Sequence, residues 1–238
     1  MAYYDKIAQQ WHTATGYKGG AFKEHVLNAV LLQKLPAIDN CSILELGAGN
    51  GYFLPLVLRH FSGQTPASIV VTDSSAELLE VARKNFRLPG AQYQRLDICG
   101  AFPFEAHRFD LILAIMVLNE ISPRCFNNAL QECHRVLSDQ GVLLIAVTHP
   151  DFVDSLQKKG LLKRIAGNPL TMPGAGSLRL PVVIRSHALY RAGLAGAGFQ
   201  YGEEELYPTA RVLTERPGLR NAGRVPIALV FRCTRSVS

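Results

Sequence analysis

The chain has 238 residues, 48% hydrophobic and 18% charged, a balance that excludes disorder and allows one sizeable core rather than two. Its net charge of +6 is uneven: residues 158–238 carry 13 Lys/Arg against 4 Asp/Glu, whereas residues 1–157 carry 12 against 15. The basic tail fits either an anionic partner or a solvated surface.

The opening "MAYYDKIAQQ" has neither a basic nor an apolar signal region. No run of about 18 uncharged apolar residues follows it, so a cytoplasmic protein without a membrane span is expected. "YDKIAQQW" and "AFKEHVLNAVLLQKL" predict helices, separated by a Gly-rich break and stopped at Pro36. From "SILEL" onward the pattern alternates. "SIVVTD", "YQRLDI", "FDLILAIMV" and "GVLLIAVTH" predict four more strands, with helices over "YFLPLVLRHF", "SSAELLEVARKNF" and "RCFNNALQECHRVL". Ser74 and Glu77 have the offset of a capping box. Continuous Ile, Val and Leu strands separated by helices mean an α/β fold, with a parallel sheet covered on both faces.

After His149 the order loosens. "DFVDSLQKKGLLKRI" reads as a helix, "AGNPLTMPGAGSLRLP" as a loop or flap, and "RSHALYRAGLAGAGF" as a helix ending at Gly198. "QYGEEELY" and "PIALVFRC" supply two more strands, while "PTARVLTERPGLRNAGRV" fits no element. The five cysteines, at 41, 99, 125, 133 and 233, form no CxxC pair and no zinc spacing. They are expected to be reduced thiols, mostly core fillers.

The turn in "ILELGAGNGYF" carries the chemistry. A dinucleotide fingerprint needs a glycine where Tyr52 stands, two residues beyond the position that follows Gly49. The third glycine is instead Gly51, which with Gly47 and Gly49 leaves the backbone of the turn itself bare for a ligand. A carboxylate at the end of the next strand, Asp73, suits a ribose diol because it accepts two hydrogen bonds. Its rival role is that of a helix cap.

In order along residues 41–148, "ILELGAGNGYF", "VVTDSSAELLEVAR", "YQRLDI", "RFDLILAIMVLNEI" and "ECHRVLSDQGVLLIAV" resemble the motifs of the class I S-adenosylmethionine-dependent methyltransferases. The resemblance implies a Rossmann-like, mostly parallel sheet of seven strands, the last antiparallel. It implies S-adenosylmethionine as cofactor, S-adenosylhomocysteine as product, and no metal. It puts Asp73 and Ser74 at the ribose, Asp97 and the Ile98 amide at the adenine, and Glu45 beneath the glycine turn. Asn119 then belongs to the loop over the sulfonium, where relatives often carry histidine; Glu120 follows it. Tyr4 and Trp11 lie in what resembles the family's N-terminal lid.

The resulting division is a helical lid over residues 1–40, a cofactor-binding core over 41–148, an acceptor cap over 149–198 and C-terminal strands over 199–238. His149, just past the fifth strand, is the candidate general base or acceptor contact, since ligands bind at that rim in open α/β sheets. Its rival role is a polar cap ahead of Pro150. His187 and Tyr190 are weighed as acceptor-cavity or core residues. The expected reaction is methyl transfer to a small-molecule acceptor, an anionic one included. RNA or protein methylation and a catalytically silent cofactor-binding paralogue are the alternatives. Oligomeric state leaves no trace in the sequence.

Overall fold

The computed structural model describes residues 3–164, 170–174, 178–215 and 225–236. In chain order the elements are α1 (Tyr3–Thr15), a 3-10 turn (Gly16–Lys18), a π-helical turn (Lys23–Leu27) running into α2 (Asn28–Lys34), β1 (Ser42–Leu46), α3 (Phe53–His60), β2 (Ser68–Asp73), α4 (Ala76–Asn85), β3 (Gln92–Arg95) and β4 (Phe109–Ile115). There follow α5 (Pro123–Val136), β5 (Leu137–Thr148), α6 (Pro150–Lys158), β6 (Lys163–Arg164), β7 (Leu170–Pro173), β8 (Arg179–Pro181), α7 (His187–Gly196), β9 (Phe199–Leu206), α8 (Ala210–Glu215) and β10 (Ala228–Arg235).

Seven strands form one sheet in the order β3-β2-β1-β4-β5-β10-β9. Only β10 runs antiparallel to its neighbours, β5 and β9, as the sequence led us to expect. The strand order reverses between β1 and β4, which opens a crevice at their carboxyl ends. Alternation along β1 divides the core. Leu44 and Leu46 pack with Phe126 and Leu130 of α5 and Leu194 of α7, whereas Ile43 packs with Leu27, Leu31, Phe53 and Val57 on the other face. By the same period of two, Glu45 shares the face of Ile43, beneath the N-terminal helices.

Local signals hold in most elements, with four departures. Ser75, not Ser74, caps α4, accepting a hydrogen bond from Leu78 N at 3.1 Å. The helix expected over 151–165 stops at Lys158, and Gly160 then takes a φ of +66°, a left-handed turn that favours glycine. The expected flap contains β7 and β8, which join β6 in a three-stranded antiparallel sheet. Met172 and Val182 bury there against Phe152, Val153 and Leu156 of α6, and that burial outweighs the loop-like Gly and Pro content. The unassigned C-terminal stretch contains α8, and residues 216–224 lie outside the described part.

The fourth departure concerns the thiols. Cys99, after β3, and Cys125, in the first turn of α5, are joined as a disulfide across 26 residues of sequence. Asn128 also donates to the carbonyls of Cys99 and Gly100 at 3.1 Å. The two chain segments meet only because the sheet brings β3 and α5 together. Cys41, Cys133 and Cys233 are free. Among the described residues, no helix is long and apolar enough to cross a membrane.

Candidate functional site

The turn from β1 into α3 is built around glycines for reasons of protein packing. Gly47 has φ +62°, and a Cβ there would meet Val117 Cγ2 at 2.4 Å. Gly51 has φ +77°, and its Cβ would meet the Ala82 Cβ of α4 at 2.7 Å. Gly51 is thus required by the close approach of α4, not by a bare backbone facing ligand. The sequence does not reveal this, because Ala82 lies 31 positions further along.

A cavity of about 260 Å³ opens beside this turn, at the carboxyl ends of β1, β2 and β4. Of the residues singled out in the sequence, Tyr4, Trp11, Glu45, Gly47, Gly49, Asp73, Ser74, Asp97 and Ile98 line it. Gly51, Asn119 and His149 do not.

Asp73 is buried at the end of β2. Its Oδ2 accepts from Gly49 N at 2.8 Å and its Oδ1 from Ser75 N at 2.9 Å. Burial raises its pKa, while the hydrogen bonds from Ser75 and Gly49 pull it back down. The Ser74 backbone also donates toward this carboxylate, and of its four or so lone-pair sites at least one stays open for a further donor. At the neighbouring strand end, Ile98 is buried and Asp97 exposed. Asp97 Oδ1 accepts from Cys99 N at 2.9 Å, an Asx turn that fixes the loop. The Ser74 carbonyl accepts from Arg95 Nε at 2.9 Å.

Glu45 is 3% exposed, and its Oε2 has no hydrogen-bond partner among the described residues. Burial pushes its pKa up to about 8, against the attraction of Lys23 and with the repulsion of Asp73. Lys23 is the one cation among the described lining residues. Its Nζ lies 4.9 Å from the Tyr52 ring centroid and 5.7 Å from that of Trp11. Burial pulls its pKa down to about 8, opposed by Glu120 and Glu45. Lys23 opens the π-helical turn, a widened helix geometry found mostly at functional positions.

Tyr4 roofs the cavity from α1 and donates from its hydroxyl to Glu120 Oε1 at 2.7 Å. Burial pushes the Glu120 pKa up to about 8, which the Tyr4 hydrogen bond moderates. The Tyr4 and Trp11 rings stack edge to face at 5.6 Å. Tyr3, in the same helix turn, donates to the Arg179 carbonyl of β8 at 2.6 Å, which ties α1 to the small sheet. Pro181 of β8 adds an apolar wall.

Asn119 is buried and outside the lining of the cavity; its backbone carbonyl accepts from Val183 N at 2.9 Å, while its side-chain Oδ1 is a buried acceptor without a partner among the described residues. That backbone bond joins the loop after β4 to the segment after β8 and leaves the side chain uncommitted. His149 is equally buried but committed elsewhere. Its Nδ1 accepts from Asp151 N at 3.1 Å, which makes it the N-cap of α6, and its Nε2 lies 3.4 Å from Glu205 Oε1. Burial lowers its pKa, although Asp151 and Glu205 pull it upward. The structure thus places His149 outside the lining of this cavity, as the N-cap of α6. Tyr190 packs edge to face on Phe126 at 5.4 Å, in the core.

Sequence reasoning missed Lys23 and gave Glu120 no role. Lys23 sits in an ordinary amphipathic stretch, and nothing local distinguishes it from a solvated lysine. Only its enclosure between Trp11, Tyr52 and Glu45 does so.

Residues 43–141 match the family described as "Methyltransferase domain". The chain is 31% identical over 141 residues to an uncharacterized methyltransferase of Schizosaccharomyces pombe, covering 56% of this chain and 50% of that protein. It is 34% identical over 119 residues to a highly reducing polyketide synthase of Penicillium soppii, covering 47% of this chain and 5% of the synthase. The chain therefore spans half or less of the length of these curated relatives. Its fold resembles that of an S-adenosylmethionine-dependent methyltransferase from Mesorhizobium loti, with TM-score 0.67 and 21% identity over 91% of this chain and 99% of the other.

Proposed function

We propose, from the match of residues 43–141 to the methyltransferase domain family, that this protein is a class I S-adenosylmethionine-dependent methyltransferase that methylates an uncharged small molecule in the cavity under α1. The observation that carries the reading is the charge pattern of that cavity. Glu45 Oε2 is a buried acceptor without a donor, which an amino-acid ammonium satisfies, and Lys23 is the lining cation for the accompanying carboxylate. Asp73 keeps an open acceptor site for a ribose hydroxyl, and Asp97 and Ile98 flank the position for an adenine. The residues thus fit S-adenosylmethionine, which when bound supplies a methyl group already activated on a sulfonium.

What the chain itself must do is align the acceptor and exclude water. Tyr4 and Trp11 roof the cavity, and Tyr3 holds that roof to β8. Glu120, rather than His149, is the cavity carboxylate able to take up an acceptor proton. The acceptor's charge is read from the lining: four carboxyl groups, Glu45, Asp73, Asp97 and Glu120, stand against the single amine of Lys23, so the described lining offers no cluster of cations to hold a phosphate, which favours a neutral acceptor over RNA. The basic C-terminal third is the feature that favours RNA, and salt-sensitive retention of the protein on RNA would support that alternative. A catalytically silent paralogue would bind the cofactor and transfer to no acceptor.

Calorimetric titration with S-adenosylhomocysteine tests the site. The wild-type protein is expected to bind, and Asp73→Ala to bind about 10- to 100-fold more weakly, since hydrogen bonds to a charged group are lost. No binding by the wild type rejects the reading, and equal affinity removes Asp73 from it. With an acceptor that must lose a proton, transfer should rise with pH through about 8 as Glu120 ionises, and Glu120→Gln should remove that rise while keeping cofactor affinity.

A further inference from the structure

A second group of donor atoms lies outside the cavity, where the ends of β5 and β9 meet the start of α7. His149 follows β5, His187 opens α7 and Glu205 stands in β9, and one donor atom from each lies within 4.8 Å of the others. His149 Nε2 and Glu205 Oε1 are 3.4 Å apart, close to the ligand–ligand edge of a tetrahedral site with bonds of about 2.0–2.1 Å.

The surroundings orient these donors. Tyr207 donates from its hydroxyl to Glu205 Oε2 at 3.2 Å, which leaves Oε1 facing His149. His187 Nε2 is buried without a hydrogen-bond partner among the described residues, 3.4 Å from Glu203 Oε2. Glu203 is itself held by Arg191. Asp151, Glu203 and Glu205 thus gather around two imidazoles with one guanidinium among them, so the spot attracts a cation despite lying at two helix N-termini.

We propose that His149, His187 and Glu205 bind one divalent cation of the zinc type, with the fourth position left to solvent. Two imidazoles and a carboxylate are a donor set that suits zinc, cobalt or nickel rather than magnesium or calcium. Asp151 N donates to His149 Nδ1, so the neutral ring carries its proton on Nε2. Cation binding at Nε2 moves that proton to Nδ1, which gives up the hydrogen bond from Asp151 N and instead donates to the Asp151 carboxylate, whose Oδ2 lies 4.0 Å away. The bound ion staples the exit of β5 and the start of α7 to the edge strand β9, so it steadies the cap without touching the methyl-transfer cavity.

The protein, treated with chelator and dialysed, is titrated with Zn²⁺ by calorimetry and with Co²⁺ by visible absorption. One equivalent of each should bind, and Co²⁺ should show the intense bands of a four-coordinate site. His187→Ala and Glu205→Gln should each abolish binding, and Tyr207→Phe should weaken it about 10-fold or more by freeing the carboxylate. His149 is left intact because it caps α6, and circular dichroism checks that the variants fold. Failure of the wild type to take up either ion, or uptake that survives either substitution at full affinity, overturns the proposal.

Discussion

Two buried groups at the carboxyl rim of the same sheet behave differently. Glu45, at the end of β1, is 3% exposed and Oε2 is left without a donor. His149, at the end of β5, is 1% exposed, and one ring nitrogen caps a helix while the other faces a carboxylate. Burial is nearly equal, and the difference lies in what is left unmet. An unsatisfied buried acceptor costs free energy until a ligand supplies its donor, so Glu45 points toward binding. A satisfied histidine points toward architecture or, by our inference, toward a cation that exploits the arrangement.

The comparison can be broken most forcefully at the glycine turn. Gly47→Ala places a Cβ against Val117 at a residue with φ +62°, and overpacking plus a left-handed backbone should cost about 3 kcal/mol or more in denaturant unfolding. Cofactor affinity should fall with it, and Val117→Ala in the same chain should restore part of the stability. No loss in the single variant would mean that the turn is not fixed by the loop after β4.

A subtler test uses protons. Burial pushes the Glu45 pKa from 4.5 up to about 8, so the folded protein holds a proton that the unfolded chain releases. This contribution to stability is fully present below pH 4.5 and is lost as pH rises through about 8. Glu45→Gln should flatten that part of the decline in melting temperature, while Glu120, also pushed up to about 8, keeps its share. In the wild type, S-adenosylhomocysteine should bind at pH 7 with release of protons, as an ammonium drives Glu45 to ionise. Calorimetry in buffers of different ionisation enthalpy should find less release in Glu45→Gln, and equal release would separate Glu45 from the ammonium.

The smallest effect is expected at His149. His149→Asn keeps an N-capping side chain and should cost about 1 kcal/mol in stability through lost packing. Cofactor affinity and transfer rate should stay at the wild-type level. A rate drop of about 10²-fold or more would restore His149 as a base.

Much of the sheet was legible because strand and helix periods, caps and turns are written in neighbouring residues. β1, β2 and β4 follow their apolar runs, and the glycine turn and Asp73 stand where two of those runs end. The small sheet β6–β8 was not legible, because its Gly and Pro content describes a loop and only burial against α6 makes it a strand pair. The thiol pair Cys99 and Cys125 escaped for a related reason, since no local spacing marks two segments that meet through the sheet.

The sequence by itself determined the alternating α/β order, the glycine turn from Gly47 and the carboxylate that ends β2, since each depends on backbone preferences acting over a few residues. Tertiary structure alone decided that Lys23 and Glu120 enter the cavity, that Gly51 serves α4 and that His149 joins His187 and Glu205. Desolvation and charge pairing depend on which distant segments close around a side chain, and an amino-acid's neighbours in sequence do not carry that information.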